Sequence, residues 1–279
     1  MKPFPKSVLA LLFIIILLSC NQKKELKKIE EEEKRKTVEM VTDYGTITIQ
    51  LYNETPLHRD NFIKLAKEHA YDSVLFHRVI QNFMIQGGDP DSKKAQVQDT
   101  LGEGDVLYTI KAEFNPNLFH KKGVLAAARD DNPERESSGM QFYIVQGKIF
   151  NDSLLDKAEI RINNWLAEHD IKNDSDHKYL LDSLQKANEN ENESLYNQYK
   201  DSIHAWAATS KDFNHYSIPE SQREVYKTIG GTPHLDQNYT VYGEVIKGMD
   251  VVDSIAASPT GTFDRPKKDI RIVTVRVLE

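Results

Sequence analysis

The chain has 279 residues, 39% hydrophobic and 28% charged, with 36 Lys+Arg against 43 Asp+Glu for a net charge of −7. That is enough sequence for one large domain or two ordinary ones around a packed core, too apolar for general disorder and too poor in Gly and Pro for a collagen-like chain. The acidic balance speaks against a nucleic-acid partner, which draws on clustered positive charge, and the single cysteine excludes a disulfide framework, a CxxC redox pair and a multi-cysteine zinc site.

Residues 1–19 carry Lys2 and Lys6, an apolar run from Val8 to Leu18, and Ser19 before Cys20. The run is too short to cross about 30 Å of hydrocarbon as a helix. A charged start, a short apolar centre and a small residue at the end describe a secretory signal. Leu17-Leu18-Ser19-Cys20 also resembles a bacterial lipobox, cut before the cysteine, which then receives lipid. The expected mature chain begins at an acylated Cys20, held to a lipid bilayer in the cell envelope, periplasm-facing or at the outer membrane. Loss of Lys2 and Lys6 takes its net charge from −7 to −9. Residues 20–36 are almost wholly Lys, Glu and Arg beyond Gln22 and offer no apolar stripe to bury, so they read as a solvated tether.

At Thr37 the pattern changes to period two. Val38, Met40 and Thr42, then Ile47, Ile49 and Leu51, flank Asp43-Tyr44-Gly45-Thr46 and predict a hairpin. Thr55-Pro56 opens a helix, with Thr55 as N-cap and Pro56 in the first turn. Phe62, Leu65, Ala66 and His69 follow at helical spacing. Short apolar strands are predicted over 74–80, 83–86, 124–128, 141–145, 240–245 and 270–278. Many short strands with Gly-marked turns argue for a β-barrel or sandwich. Residues 148–229 break this pattern as a helical insertion. They carry the stripes Ile162, Trp165, Leu166, His169 and Leu195, Tyr199, Ile203, Trp206, a polar break over 188–193, and a third helix from Pro219 to Gly230-Gly231.

No HExxH, GxSxG or P-loop is present, and Gly102-Glu103-Gly104 lacks the third glycine of a dinucleotide fingerprint. No metal or other cofactor is expected. The informative run is Phe76-His77-Arg78-Val79-Ile80-Gln81-Asn82-Phe83-Met84-Ile85-Gln86-Gly87-Gly88-Asp89. Alone it is two strands and a turn, with Arg78 and Gln86 beside Phe83 and Met84. As a string it closely resembles the signature of the cyclophilin family of peptidyl-prolyl cis-trans isomerases. Gly123-Val124-Leu125-Ala126-Ala127-Ala128-Arg129 and Ser138-Gly139-Met140-Gln141-Phe142-Tyr143-Ile144 resemble its central segment. Thr232-Pro233-His234-Leu235-Asp236 and Tyr239-Thr240-Val241-Tyr242-Gly243-Glu244-Val245 resemble its later one. The resemblance covers residues 37–279 apart from 148–229.

It implies a mainly β fold, an eight-stranded antiparallel barrel capped by two helices, interrupted by the insertion. It implies an isomerase of X-Pro bonds in exported proteins, a monomer with proline-containing polypeptides as partners. It assigns Arg78 and Gln86 to catalysis and Phe83, Met84, Ala128, Arg129, Gln141, Tyr143, His234, Leu235 and Tyr239 to substrate binding. The alternative is a cyclophilin-fold peptide-binding or chaperone module with little turnover. Several positions depart from the commonest family pattern: His234 stands where many members have Trp, Arg129 where many have Asn, Tyr143 where Phe is commoner, and Tyr239 where eukaryotic members often have His. The Trp commonly found at the position of His234 donates a hydrogen bond to the inhibitor cyclosporin, so weak cyclosporin sensitivity is expected.

Overall fold

The computed structural model describes residues 34–278, and the expected signal segment, Cys20 and the tether as far as residue 33 lie outside them. The period-two pattern forms a hairpin of β1 (Thr37–Thr42) and β2 (Gly45–Leu51), turned by Asp43 and Tyr44 with Thr42 opposite Gly45. Further strands are β3 (Arg78–Ile80), β4 (Met84–Gly87), β5 (Thr109–Ile110), β6 (Val124–Ala127), β7 (Ser137–Ser138), β8 (Phe142–Val145), β9 (Val241–Lys247) and β10 (Ile272–Leu278). Eight of them make one antiparallel sheet in the order β10-β1-β2-β9-β6-β8-β4-β3, while β5 pairs with β7. The sheet curls until its edges meet. The residues leading into β3 close it: Ser73 N–H donates to Ile272 C=O at 2.8 Å, Ile272 N–H to Val74 C=O at 2.8 Å, and Phe76 N–H to Ile270 C=O at 2.9 Å. The strand expected over 74–80 is therefore split, its first half joining β10 and its second half β4.

Alternation along the strands sorts side chains to two faces. Val38, Met40, Ile47, Ile49, Leu51, Ile85, Leu125, Phe142 and Ile144 point into one contiguous core. Phe142 receives Phe62 and Tyr71 edge-on or nearly so, at centroid distances of 5.8 and 5.6 Å. Met84, Val124, Ala126, Tyr143 and Val145 are on the opposite face and form a second apolar cluster with Leu235 and Val241. Burial on both faces explains why β6 and β8 read as unbroken apolar runs.

Six α-helices occur among the described residues: α1 (Pro56–Lys67), α2 (Asp152–Asp170), α3 (Tyr179–Glu189), α4 (Glu193–Thr209), α5 (Glu220–Thr228) and α6 (Met249–Ala256). α1 and α6 press Phe62, Leu65 and Ala66, and Val251, Val252 and Ile255, into the main core. The expected Thr55 cap does not form; its hydroxyl is buried without a partner. Instead the Glu113 carboxylate accepts the Leu57 and His58 amides, both at 3.0 Å, and meets His58 Nδ1 at 2.7 Å. A carboxylate takes two amides and opposes the positive end of the helix, which one neutral hydroxyl cannot do. Burial acts to raise the Glu113 pKa, and these hydrogen bonds outweigh it, leaving the group below its ordinary value.

Helices α2 to α5 lie between β8 and β9. Asn151 and Asn192 cap α2 and α4 by accepting the Leu154 and Leu195 amides. Leu155, Ala158 and Ile162 of α2 pack with Phe150, Ile218 and Tyr226, and Phe119 joins them from outside the segment. A separate cluster holds Ala167, Ile171, Leu180, Ile203, Ala207 and Phe213. Where the segment leaves and rejoins the sheet the chain comes together tightly. A Cβ on Gly147, at φ +66°, would lie 2.5 Å from the Gly231 Cα, so only glycine fits there.

Candidate active site

Adjacent antiparallel strands place Arg78 directly opposite Gln86, and Gln86 opposite Tyr143 on the next strand. All three side chains belong to the outer face, because the inner face takes Val79, Ile85 and Phe142. They open onto a concave pocket lined by Arg78, Phe83, Met84, Gln86, Ala128, Arg129, Tyr143, Leu235 and Tyr239. Every lining residue is among those expected from the sequence. Met84, Tyr143 and Leu235 are buried, while the Arg78 side chain keeps 43% of its surface exposed. An apolar floor rimmed by the side chains of Arg78 and Arg129 suits a compact aliphatic ring beside a polar amide.

The remaining two expected residues support this lining. Gln86 Nε2 donates to Gln141 Oε1 at 3.0 Å, and Gln141 Nε2 donates to the carbonyls of Gly102 and Gly104 at 2.8 and 2.7 Å. The glycine pair that fails as a nucleotide loop thus fixes which way two amides point. His234 stacks on Phe83, with ring centroids 5.6 Å apart and planes 25° from parallel.

Sequence comparison then decides the family. The model described as cyclophilin type peptidyl-prolyl cis-trans isomerase/CLD matches residues 37–277. The chain belongs to that family. As a cyclophilin it is a peptidyl-prolyl cis-trans isomerase. A Staphylococcus saprophyticus protein bearing that enzyme's name is 30% identical over 241 residues, covering 86% of this chain and 90% of the relative. A Staphylococcus aureus protein (strain USA300) of the same name is 28% identical over 256 residues, covering 91% and 96%. A Streptococcus pyogenes protein named as a bifunctional phosphatase/peptidyl-prolyl cis-trans isomerase is 29% identical over 245 residues, and this chain spans only 38% of its length. Among solved structures, a Cryptosporidium parvum cyclophilin type isomerase shares the fold at a TM-score of 0.53 and 17% identity, covering 88% of this chain and 98% of that one. The same protein determined in the presence of the dipeptide Ala-Pro aligns with a TM-score of 0.52.

Around this cyclophilin's pocket lie residues that the linear motifs did not mark. Asp264 Oδ2 sits 3.4 Å from Arg78 Nε, in a turn where Phe263 and Asp264 both take positive φ, 58° and 60°. The bond uses Nε and leaves the two terminal amino groups of the guanidinium for other partners. Arg129, the departure from Asn, lies 5.1 Å over the Tyr239 ring, and its Nε and Nη2 donate to the Asn238 carbonyl and side-chain oxygens at 3.0 and 2.9 Å. It clamps that wall of the pocket.

The Tyr143 hydroxyl, absent where the family has Phe, reaches His120 Nε2 at 2.9 Å. Left buried without a partner, such a hydroxyl would cost about 1–3 kcal/mol. Burial pushes the Tyr143 pKa well up, so it stays a phenol. Burial likewise drives His234 down to about 4, helped by Arg161, so this imidazole is neutral at pH 7 rather than poised near neutrality. His77, between Phe76 and Arg78, is buried with both ring nitrogens unpartnered, and burial lowers it to about 4 as well.

Proposed function

We propose that Arg78 donates the hydrogen bond that lowers the rotation barrier, that Gln86 holds the substrate carbonyl with its second amide hydrogen, and that Phe83, Met84, Tyr143, Leu235 and Tyr239 grip the proline ring. Turning an X-Pro bond breaks amide resonance against a barrier of about 18–20 kcal/mol, with no covalent bond made or cut. In the twisted state the prolyl nitrogen regains its lone pair and accepts a hydrogen bond it could not accept when planar. A donor whose bond exists only in that state lowers the barrier without tightening the ground state. A guanidinium is a fixed cation in this chemistry, and Arg78 keeps two terminal amino groups available beside the pocket.

The observation carrying this reading is the register that sets Arg78 opposite Gln86 at the mouth of the apolar pocket. Unassisted isomerisation takes about 10–100 s. Reaching roughly 10³ s⁻¹ needs about five decades, or about 7 kcal/mol. One preorganised donor supplies about 3–4 kcal/mol, so the pocket's shape and exclusion of water supply the rest. Arg78→Ala should therefore lower kcat for a proline peptide by about 10²- to 10³-fold without shifting the melting temperature. Undiminished turnover in the folded variant would overturn the assignment.

The substrates on this reading are proline-containing segments of exported proteins, met at the cell envelope by an enzyme anchored through acylated Cys20. Support comes from the charged, apolar and small-residue order of positions 1–20. Cys20→Ala should abolish metabolic lipid labelling and move the protein out of the membrane fraction. Labelling that persists would refute the anchor.

A further inference from the structure

Behind the proline pocket runs a buried chain of four side chains from three parts of the sequence. Tyr143 Oη lies 2.9 Å from His120 Nε2, and His120 Nδ1 lies 2.8 Å from Asp236 Oδ1. Asp236 Oδ1 also accepts the His120 amide at 2.8 Å, and its Oδ2 accepts the Tyr226 hydroxyl at 2.7 Å. His120 and Tyr226 are 0% exposed, Asp236 2% and Tyr143 4%. The direction of each bond follows from chemistry. Asp236 is the acceptor from the His120 amide and the Tyr226 hydroxyl, and with the same role toward the His120 ring, Nδ1 donates and Nε2 accepts from the Tyr143 phenol. The His120 ring also lies nearly parallel to the Tyr143 ring, at 13° with centroids 6.1 Å apart.

The two ends of this chain belong to different parts of the fold. Tyr143 lines the substrate pocket on β8. Tyr226 is on α5, in the helical segment between β8 and β9, and is wedged edge-on against Phe119 at 5.4 Å. Asp236 follows the turn Pro233–Leu235 that carries His234 and Leu235, so the carboxylate joins both pocket walls to the helix.

We propose that Tyr226 is a positioning residue for the proline pocket: through Asp236 and His120 it fixes the ring of Tyr143, so the helical segment sets how tightly the pocket holds its substrate. This rests on the pocket's assignment to the proline ring. The Tyr143 ring meets that ring whether the bond is planar or twisted. Loosening it therefore weakens ground state and transition state alike, which raises KM and spares kcat.

The experiment is a double-mutant cycle on the full chain with a proline tetrapeptide, well below the melting temperature. Tyr226→Phe should raise KM three- to tenfold with kcat within twofold, and Tyr143→Phe should do the same. The double variant should be no worse than either single one, because both cut one chain of bonds. Should Tyr226→Phe not fold, Asp236→Asn cuts the same chain and must give the same split. An unchanged KM in folded Tyr226→Phe, a fall in kcat alone, or additive effects in the double variant would overturn the proposal. Arg78→Ala, measured alongside, tests the catalytic reading separately, since that reading fails on kcat and this one on KM.

Discussion

The curled sheet and the helical segment solve burial in opposite ways. The sheet holds one core in which Val38, Ile47, Ile49, Leu51, Leu125 and Phe142 are wholly inaccessible, drawn from strands far apart in sequence. The helical segment has two small clusters, built mostly from neighbours in the chain, under a surface dense with charge. Its nearer cluster shares Phe119 with the rest of the domain and ends in Tyr226, whereas its farther cluster is made only of segment residues. The lesson is that the segment is half fused and half free. The half that touches the domain also touches the pocket's supports.

The largest expected effect breaks that contrast open. Phe142→Ala removes the ring at the centre of the main core and should cost about 3–5 kcal/mol, lowering the temperature at which all activity is lost. Ile203→Ala empties the farther helical cluster and should cost about 2–5 kcal/mol locally. Hydrogen exchange should then rise in α3 and α4 while proline turnover stays within twofold. Loss of turnover in step with α4 opening would show that the segment is one cooperative body with the sheet.

Acid should act next. Unfolded His77 takes a proton below about pH 6.5, while the folded residue stays neutral to about 4. The unfolded state then binds more protons in that window, so stability is full above pH 6.5 and falls on acidification at about 1.4 kcal/mol per pH unit, flattening below pH 4. His234 acts in the same direction over the same range, and His169 in α2 is also lowered, by burial first and then by Arg135. Denaturant melts of His77→Leu against the parent should isolate a difference that vanishes above pH 7. A pH-independent difference would show that His77 titrates alike in both states.

A smaller effect is expected at the pocket rim. Neutral His234 lacks part of an indole's surface, so His234→Trp should tighten cyclosporin by about 1–3 kcal/mol, roughly ten- to a hundredfold. Turnover should change only modestly. Equal affinity by calorimetry would move the cause to Arg129 or the 130–137 loop.

The smallest effect belongs to the helical surface. Arg223 pairs with Asp152 at 3.2 Å and Asp156 at 2.8 Å across α2 and α5. With both carboxylates 65% exposed, Arg223→Ala should cost no more than about 1 kcal/mol, and salt should erase the difference. A loss that survives high salt would mean the arginine's stem matters by packing.

Legibility followed the same divide. Period-two alternation marked β1, β2 and β10, unbroken apolar runs marked β6 and β8, and the residues lining the pocket could be named from the resemblance of their motifs to the cyclophilin family. Leu180, Leu181, Leu184 and Ala187 of α3, and Val251, Val252, Ile255 and Ala256 of α6, also stand at helical spacing, but over only 11 and 8 residues. Two or three turns give too few repeats for the helical period to stand out beside the strands. Of the expected stripe on α4, Ile203 is fully buried, but Leu195 remains 39% exposed.

By itself the sequence determined the alternation and the order of motifs, since these depend on residue type and short spacing, and through those motifs the resemblance that pointed to Arg78, Gln86 and the apolar lining residues. Tertiary structure alone decided that Glu113 rather than Thr55 caps α1, that Asp264 stands beside Arg78, and that Tyr226 reaches Asp236. The reason is physical. Each of those contacts satisfies a buried or charged group with a partner brought from elsewhere in the fold. Which distant carboxylate or hydroxyl arrives is settled by strand register and helix docking, and no local pattern encodes it.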